Sequence, residues 1–330
     1  MKKPTMRDIA KAAGTSAVTV SKALAGQPGM SEETRIRIVQ TAEKMGYEYP
    51  GGKRTEPAKR HLDIGILVPD RYFETKSYYS EMYRQLVRKL TDRGDFGLLE
   101  ILTRENEQQL ALPNLMVSGR ADGMIILGEP MKEYYRMIAR QGIPLVFLDF
   151  YDEQANADAV VGDNTYGTYR LTSHLIRTGH RNIGFVGNQG ATESIMDRYL
   201  GFYRAMLTHG LSVRPEWILP DRGEDSALRP PELPEEMPDA LVCNCDLTAR
   251  MMITLLKEKG YRVPEDVAVT GFDDFPPGGE DDVPLSTFRI DTEAMVDMAA
   301  KMITERCAGS DKPFGRMVIG GQPVYRDSGQ

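Results

Sequence analysis

The sequence predicts two structural parts: an N-terminal all-α head built on a helix-turn-helix, and a C-terminal α/β body of two lobes with doubly wound parallel sheets. Two short helical patterns separated by a glycine lie within the first 25 residues, and strand and helix patterns alternate from residue 62 onward. Residues 1–60 hold 12 Lys and Arg against 6 Asp and Glu, whereas the 330-residue chain has a net charge of −7. A chain of this length exceeds what one hydrophobic core usually serves.

The first two helices are defined by residues that start and stop helices. Thr5 is placed to cap the first helix, with Asp8 three residues later as in a capping box. Gly14 can adopt the positive φ that ends a helix, and Ser16 can cap the second. The predicted apolar faces are Ile9, Ala12 and Ala13 in the first helix, and Val20, Ala23 and Leu24 in the second.

A third helical pattern, capped by Ser31 and ending at residues 45–47, completes a three-helix unit whose third apolar face is Ile36, Ile38, Val39 and Ala42. In a helix-turn-helix, the start of the second helix meets base edges in the major groove. Ala17 and Val18 could touch thymine methyl groups, and Lys22 could donate to guanine. The hydroxyl candidates for DNA contact are Thr5, Ser16, Thr19, Ser21, Ser31 and Thr34. The alternative is a small helical hairpin from another fold.

Residues 5–26 resemble the head of the LacI/GalR family of bacterial transcription regulators, with the pattern T-x-x-D-[IV]-A-x-x-A-G-[VT]-S-x-x-T-V-S-[RK]-x-L-x-G. The resemblance continues through the body, at landmarks such as residues 162–164, 179–183, 263–269 and 271–274. Bodies of this family are similar to periplasmic sugar-binding proteins, which hold a ligand between two lobes. The resemblance therefore implies a small-molecule effector and a homodimer on a pseudo-palindromic double-stranded operator.

Residues 49–62 form a predicted linker rich in proline, glycine and cations. The resemblance implies a hinge helix here, whose leucine would insert into the minor groove. The A-R-x-L motif of that helix is absent, and Gly51, Gly52 and Pro57 oppose helix formation. We therefore expect a basic tether in which Lys53 and Arg54 contact phosphates without sequence preference. The alternative is a solvated linker that contacts no DNA.

The body begins at about residue 63, which divides the chain into a head (1–48), a linker (49–62) and an effector-binding part (63–330). Alternating strands and helices predict parallel sheets covered on both faces. The expected strands are 64–68, 97–102, 123–127, 144–148, 183–186, 240–243 and 267–270. One lobe is expected from about 63–162 and 291–321, and the other from about 163–290 and 322–330.

Effector candidates lie near the carboxyl ends of the strands, where open α/β sheets bind ligands. Planar charged groups can hold two hydroxyls at once, and aromatic faces can cover the apolar side of a sugar ring. The candidates are Tyr78, Tyr79, Asp149, Arg198 and Asp273. The resemblance implies that Arg198 and Asp273 occupy positions that commonly contact effector. For each candidate, the alternative is a helix cap or a surface ion pair.

Two departures from the family pattern predict a less polar pocket. Cys245 stands where the family often has an effector-binding amide, and Ile290 stands where several sugar-responsive members have a glutamine. Both changes favour an effector that is less hydroxylated or partly apolar. A core-packing role for Cys245 is the alternative.

Composition narrows the function classes. Three cysteines and four histidines are too few for a disulfide scaffold or a usual zinc site, so no metal and no cofactor is expected. The chain lacks a nucleotide-binding glycine loop and a nucleophile elbow, which argues against an enzyme. Without a long apolar stretch or a signal-like start, we expect a cytoplasmic protein with no membrane partner. An effector-gated DNA-binding repressor is the leading class, and a regulator controlled mainly by a protein partner is the second.

Overall fold

The computed structural model describes residues 4–24, 30–45, 47, 61–73, 77–223, 227–275 and 283–330. The chain divides into two compact units, Met1–Arg60 and His61–Gln330. The linker candidates Lys53 and Arg54 lie outside the described residues. The predicted limits of the domains and lobes stay predictions.

The head consists of three helices, α1 (Met6–Ala12), α2 (Ala17–Leu24) and α3 (Glu32–Lys44). Gly14 has φ of 64°, which confirms the predicted glycine turn between α1 and α2. The core contains one fully buried residue from each helix, namely Ile9, Val20 and Ile38. Each helix contributes one apolar face, as predicted.

Two predictions about the apolar faces of the head are wrong. Ala12 is exposed, and Ala10 is buried in its place. The inward face of α1 follows Met6, Ile9, Ala10 and Ala13, which is the i, i+3, i+4, i+7 spacing of one helix face. Ile36 is 50% exposed, because it lies about 200° around α3 from the buried Ile38.

The first half of the body is built on a six-stranded parallel sheet, and we call this part lobe 1. Its first elements are β1 (Asp63–Pro69), α4 (Tyr78–Asp92), β2 (Phe96–Leu102), α5 (Arg104–Gln109), α6 (Asn114–Val117), β3 (Gly123–Leu127), α7 (Lys132–Ala139), β4 (Leu145–Leu148) and β5 (Asp158–Gly162). All strand pairs are parallel, with apolar clusters on both faces. Buried runs such as β3 and β4 are typical of such sheets.

Lobe 2 is built on a four-stranded parallel sheet. Its elements are α8 (Asn164–Thr178), β6 (Ile183–Val186), α9 (Glu193–Thr208), β7 (Ile218–Leu219), β8 (Ala240–Cys243), α10 (Asp246–Glu258) and β9 (Ala268–Thr270), in the sheet order β7-β6-β8-β9. Next come β10 (Thr287–Ile290), α11 (Thr292–Cys307), β11 (Arg316–Ile319) and β12 (Gly321–Val324). Here β10 pairs antiparallel with β12, whereas β11 joins lobe 1 and gives its sheet the order β11-β5-β4-β3-β1-β2. The observed strands confirm the predicted α/β class.

The described chain crosses from one lobe to the other near residues 163, 291 and 320, and these three crossing segments lie side by side. The Asp163 N–H donates to the Ile319 carbonyl at 2.9 Å, and the Asp291 N–H donates to the Gly320 carbonyl at 3.3 Å. Ile290 is 5% exposed and packs against Gly162, where an added Cβ would lie 2.9 Å from Ile290 Cδ1. The prediction that Ile290 makes the pocket less polar is therefore wrong, because its side chain fills the core beside a glycine.

Within the described part of the chain, no helix is both long and apolar enough to cross a membrane.

Candidate functional site

The exposed face of α2 is the candidate DNA-reading surface of the head. Val18 is 66% exposed, Lys22 is exposed and Ser21 is half-buried. An exposed valine with no packing role in the head is available for contact with a thymine methyl group. Ala17 is half-buried and packs against the head core, so it offers less surface than Val18.

The predicted hydroxyl contacts also cap the helices. The Thr5 hydroxyl donates to Asp8 Oδ2 at 2.6 Å in a complete capping box, so its single hydrogen is already engaged. The Thr19 N–H donates to Ser16 Oγ at 3.1 Å, and the two hydroxyl oxygens lie 2.8 Å apart. Only one hydroxyl of such a pair donates to the other, so the second O–H stays available for a phosphate. Ser31 and Thr34 form the same kind of pair at the start of α3.

Arg198 is the central cation of the body. It lies on α9 and is only 6% exposed. Its Nε donates to Asn164 Oδ1 at 2.8 Å, its Nη1 to the Asn244 carbonyl at 2.6 Å and its Nη2 to Asp273 Oδ1 at 3.0 Å. The guanidinium also stacks over the Phe272 ring at 4.1 Å. These contacts fix the orientation of the guanidinium, because Arg presents its donors in a rigid plane.

Asp149 and Asp273 each follow a strand at a sharp backbone turn. Their φ angles are 74° and 105°, in the left-handed region that Asp tolerates better than most residues. Main-chain bonds hold both turns, from the Asp149 N–H to the Val160 carbonyl and from the Asp273 N–H to the Phe288 carbonyl. From lobe 1, the Tyr79 hydroxyl donates to Asp149 Oδ2 at 2.8 Å.

We call the region where Tyr79 and Asp149 of lobe 1 meet Arg198 and Asp273 of lobe 2 the cleft, and its carboxylates are poorly compensated by positive charge. Burial raises the pKa of Asp149, although Arg198 and the Tyr79 hydroxyl act in the opposite direction. Burial also raises the pKa of Asp273 to about 8 against the lowering effect of Arg198, and the charges of Asp246 and Asp149 raise it further. Burial acts to lower the pKa of Arg198. The negative charges of Asp273 and Asp149 outweigh this effect and raise the pKa, so the guanidinium stays protonated.

Aromatic rings form the other wall of the cleft. Ser77 caps α4 and so places Tyr78 and Tyr79 in its first turn. The ring centroids of these two tyrosines are 5.4 Å apart, Tyr72 lies 5.0 Å from Tyr79, and Phe275 lies 6.1 Å from Tyr78. The structure thus brings Tyr78 and Tyr79 to Asp149, Arg198 and Asp273, as predicted for one effector site, and their roles in binding stay predictions.

Cys245 lies at the edge of this site. Its Sγ is 3.3 Å from Thr248 Oγ1, and the residue is half-buried, unlike Cys243, which is 2% exposed. Burial raises the pKa of the Cys245 thiol, and the charge of Asp273 raises it further. A protonated, partly apolar thiol here fits the expectation that this position makes the cleft less polar. Its role in binding stays a prediction.

Sequence reasoning missed several residues of the site. Asn164 was visible within the landmark 162–164, but its role as an acceptor for Arg198 was not predicted. Asn244 donates to Asp221 Oδ2 at 2.6 Å, and Arg222 binds both oxygens of Asp221, at 3.0 and 2.8 Å. No sequence signal marked Asp221 and Arg222, since an Asp-Arg pair between strands looks like an ordinary loop, whereas Asn244 stands beside Cys245 at a position where the family often has an Asn-Asp pair.

Glu129 was also missed, and it connects the two lobes. It follows β3 of lobe 1, and its Oε2 accepts the Glu193 N–H at 2.9 Å, at the start of α9 in lobe 2. A carboxylate at this position favours the positive end of the helix. Burial raises the pKa of Glu129 to about 7, despite this hydrogen bond. Among the residues that the structure describes, no group of three His, Cys, Asp or Glu could hold a metal ion.

Comparisons with known proteins agree with both parts of the chain. Residues 5–49 match the model of bacterial regulatory proteins of the lacI family, and residues 172–329 match a periplasmic binding protein-like domain. The HTH-type transcriptional repressor PurR of Aliivibrio fischeri is 26% identical over 329 residues, covering 97% of this chain and 96% of the relative. PurR of Pasteurella multocida is 25% identical over 323 residues, covering 96% and 95%.

Solved structures share the fold. The complex of the transcriptional regulator CelR with cellobiose has a TM-score of 0.70 at 23% identity, covering 98% of this chain and 99% of the other. The lac repressor dimer bound to operator and the anti-inducer ONPF has a TM-score of 0.65 at 18% identity, covering 99% of each chain. The helix-turn-helix head and the two-lobed body together define a DNA-binding transcriptional regulator. These matches confirm the resemblance to the lacI family of bacterial regulatory proteins, and the family and the relatives named above are transcriptional regulators rather than enzymes.

Proposed function

We propose that this protein is a homodimeric transcriptional repressor whose affinity for a pseudo-palindromic operator is set by a small carbohydrate-like effector bound between the lobes. The observation that carries the proposal is the arrangement of the buried Arg198 and half-buried Asp273 from lobe 2 beside the half-buried Tyr79 and buried Asp149 from lobe 1. A ligand that contacts both walls stabilises one spacing of the lobes. Effector and operator then change each other's affinity by the same factor.

The polar groups of the cleft suit hydroxylated ligands. Fixed carboxylates accept hydroxyl hydrogens, and tyrosine rings cover the C–H face of a sugar ring. The CelR complex with cellobiose supports this assignment by its fold and its ligand. Tyr78, Tyr79, Asp149, Arg198, Cys245 and Asp273 are the proposed effector-binding residues.

The proposed dimer uses the exposed apolar surface of lobe 1 near β2. This strand ends the six-stranded sheet, and Phe96 and Leu99 on it are 56% and 36% exposed. Val117, at the end of α6, is 71% exposed. Apolar side chains along an unpaired sheet edge are typical of a contact surface. The dimeric lac repressor of similar fold agrees with this proposal.

A second candidate is control by a protein partner. A groove of about 330 Å³ beside α11 and β11 is lined by methionines and cations, including Met298, Met302, Met317, Lys301 and Lys312. Methionine-rich surfaces adapt to protein partners. Under this alternative, the groove, rather than the cleft, receives the regulatory signal.

The test is a thermal-shift screen of the full-length protein against sugars, sugar acids, sugar phosphates, polyols and nucleobases, followed by operator binding with each hit. A ligand at 100 times its Kd adds about 2.7 kcal/mol to the stability of the folded state. We expect a hit that is lost in Arg198→Ala and retained in Arg204→Ala, an exposed arginine on the same helix. No hit across the panel, with operator binding intact, would favour the protein-partner alternative.

A further inference from the structure

We propose that the effector carries a positive charge, as a protonated amine on its carbohydrate-like frame. This inference rests on the proposed function, because it concerns the ligand of the same cleft. It is drawn from the balance of charges, the free oxygen atoms and the aromatic rings that surround the site.

Asp149 and Asp273 share a single cation. Arg198 bonds directly to Asp273 and lies within electrostatic reach of Asp149. Among the described residues, the donor to the Asp149 carboxylate is the neutral Tyr79 hydroxyl. Arg198 therefore supplies one positive charge for two carboxyl groups, and the raised pKa of Asp273 means that a proton neutralises the second one when the site is empty. A buried carboxyl group that lacks a cationic partner stays neutral, so a ligand cation can replace this proton and pair with the carboxylate.

Two other arginines near the cleft, among the residues that the structure describes, are engaged elsewhere. Arg222 is bound through two nitrogens to Asp221, and Arg71 is bound to Glu107 and to the Glu129 carbonyl. Each of these arginines is matched by a carboxylate of its own. They therefore add no net positive charge to offset Asp149 or Glu129. The cation within reach of Glu129 is Lys132, which is exposed to solvent and so is strongly screened.

Each cleft carboxylate also keeps one oxygen that accepts no hydrogen bond from the described residues. These atoms are Oδ1 of Asp149, Oδ2 of Asp273 and Oε1 of Glu129. An ammonium group has three donors and no acceptor, so it can satisfy several such oxygens at once. A phosphate or carboxylate on the ligand would face the same oxygens with like charge.

The aromatic wall favours the same ligand chemistry. Tyr72, Tyr78, Tyr79 and Phe275 form a chain of ring contacts with centroid separations from 5.0 to 6.1 Å. Aromatic faces attract cations through their quadrupole, most strongly where water is excluded. The raised pKa values, about 8 for Asp273 and about 7 for Glu129, agree with a site that lacks positive charge when empty.

The test compares four hexoses on the full-length protein by calorimetric titration at neutral pH: glucose, glucosamine, N-acetylglucosamine and glucose 6-phosphate. Glucosamine is expected to bind tighter than glucose by about tenfold or more. N-acetylglucosamine, which keeps the nitrogen but loses its charge, is expected to lose that advantage, and glucose 6-phosphate is expected to be the weakest.

Asp149→Asn keeps an acceptor for Tyr79 and removes the charge, so it should abolish the preference for the amine. The matched control is Asp266→Asn, which removes the same charge from a surface carboxylate paired with Arg262. This variant should keep the preference for the amine.

A preference for glucose or glucose 6-phosphate would overturn the inference and leave the proposed effector site intact. If none of the four hexoses binds, the inference of an aminated ligand fails, whereas the effector site is judged separately by the broader screen and operator binding by its own test. The variants add a measurement that needs no ligand. Asp149→Asn should raise the unfolding midpoint of the empty protein, because it removes a buried carboxyl group that Arg198 only partly compensates, and a lowered midpoint would contradict the shortage of positive charge.

Discussion

Arg198→Lys tests whether the cleft depends on the geometry of a guanidinium or only on its charge. Arg198 makes three hydrogen bonds, to Asn164, the Asn244 carbonyl and Asp273. Lysine keeps the positive charge, but its single ammonium cannot reach three acceptors that lie in different directions. We therefore expect lysine to keep the contact with Asp273 and to lose the other two.

The size of the effect follows from burial. Asn164 is 3% exposed and Asn244 is 2% exposed, so water cannot easily replace the lost donors. Each buried acceptor left without a partner costs about 1–3 kcal/mol, so two of them predict a loss of roughly 2–6 kcal/mol. For a body of this size, that corresponds to a midpoint lowered by roughly 4–24 °C.

The assay is urea and thermal unfolding of the full-length protein, followed over the transition of the body, with effector binding measured in parallel. Arg204→Lys on the same helix is the matched control and should stay within about 0.5 kcal/mol of the parent. If Arg198→Lys unfolds like the parent and binds effector normally, the guanidinium geometry does not organise the cleft, and the reasoning is refuted.

The remaining predictions concern DNA, pH and assembly. Lys22→Ala should cost about 1–3 kcal/mol and relax the preference at one operator position per half-site, whereas an equal loss on every sequence would show that Lys22 only contacts phosphate. Neutralising Lys53 and Arg54 should weaken all duplexes alike and flatten the salt dependence, and a loss confined to operators with a flexible central step would instead indicate kinking. The pKa of Asp273 is raised to about 8 in the folded state, so its protonated form stabilises the fold at low pH, and this contribution declines as the pH rises from about 4 to about 8. Asp273→Asn should therefore flatten the decline of the unfolding midpoint over this range, and unchanged pH profiles would contradict the assignment. Phe96→Glu should shift the dimer toward monomer in sedimentation and weaken operator binding, and an unchanged dimer would exclude the β2 surface.

The parts of the fold that depend on neighbouring residues were predictable from the sequence. The capping box of Thr5 and Asp8, the turn at Gly14 and the cap by Ser16 follow local rules, and the structure contains all of them. The candidate site was partly predictable for a similar reason. Asp149 lies directly after a strand, at the edge of the sheet where ligands bind.

The contacts that fix the site join distant parts of the chain and could not be predicted in the same way. Arg198 meets Asn164 across 34 residues and Asp273 across 75. Glu129 meets the start of α9 across 64 residues, and nothing near it in the sequence indicates that this glutamate is half-buried and bonded to the other lobe. Ile290 was misplaced because a strand pattern shows that a side chain is buried, but not which cavity it fills.

The three crossing segments between the lobes have a consequence for synthesis on the ribosome. The six-stranded sheet begins with residue 63 but is completed by Arg316–Ile319, and α11, made shortly before that strand, packs against β3, β4 and β5. The nascent chain therefore exposes a finished DNA-binding head long before its effector-binding lobes can assemble. A premature stop after about residue 290 would release a chain with an intact head that no effector could control, because its first sheet lacks both an outer strand and a covering helix.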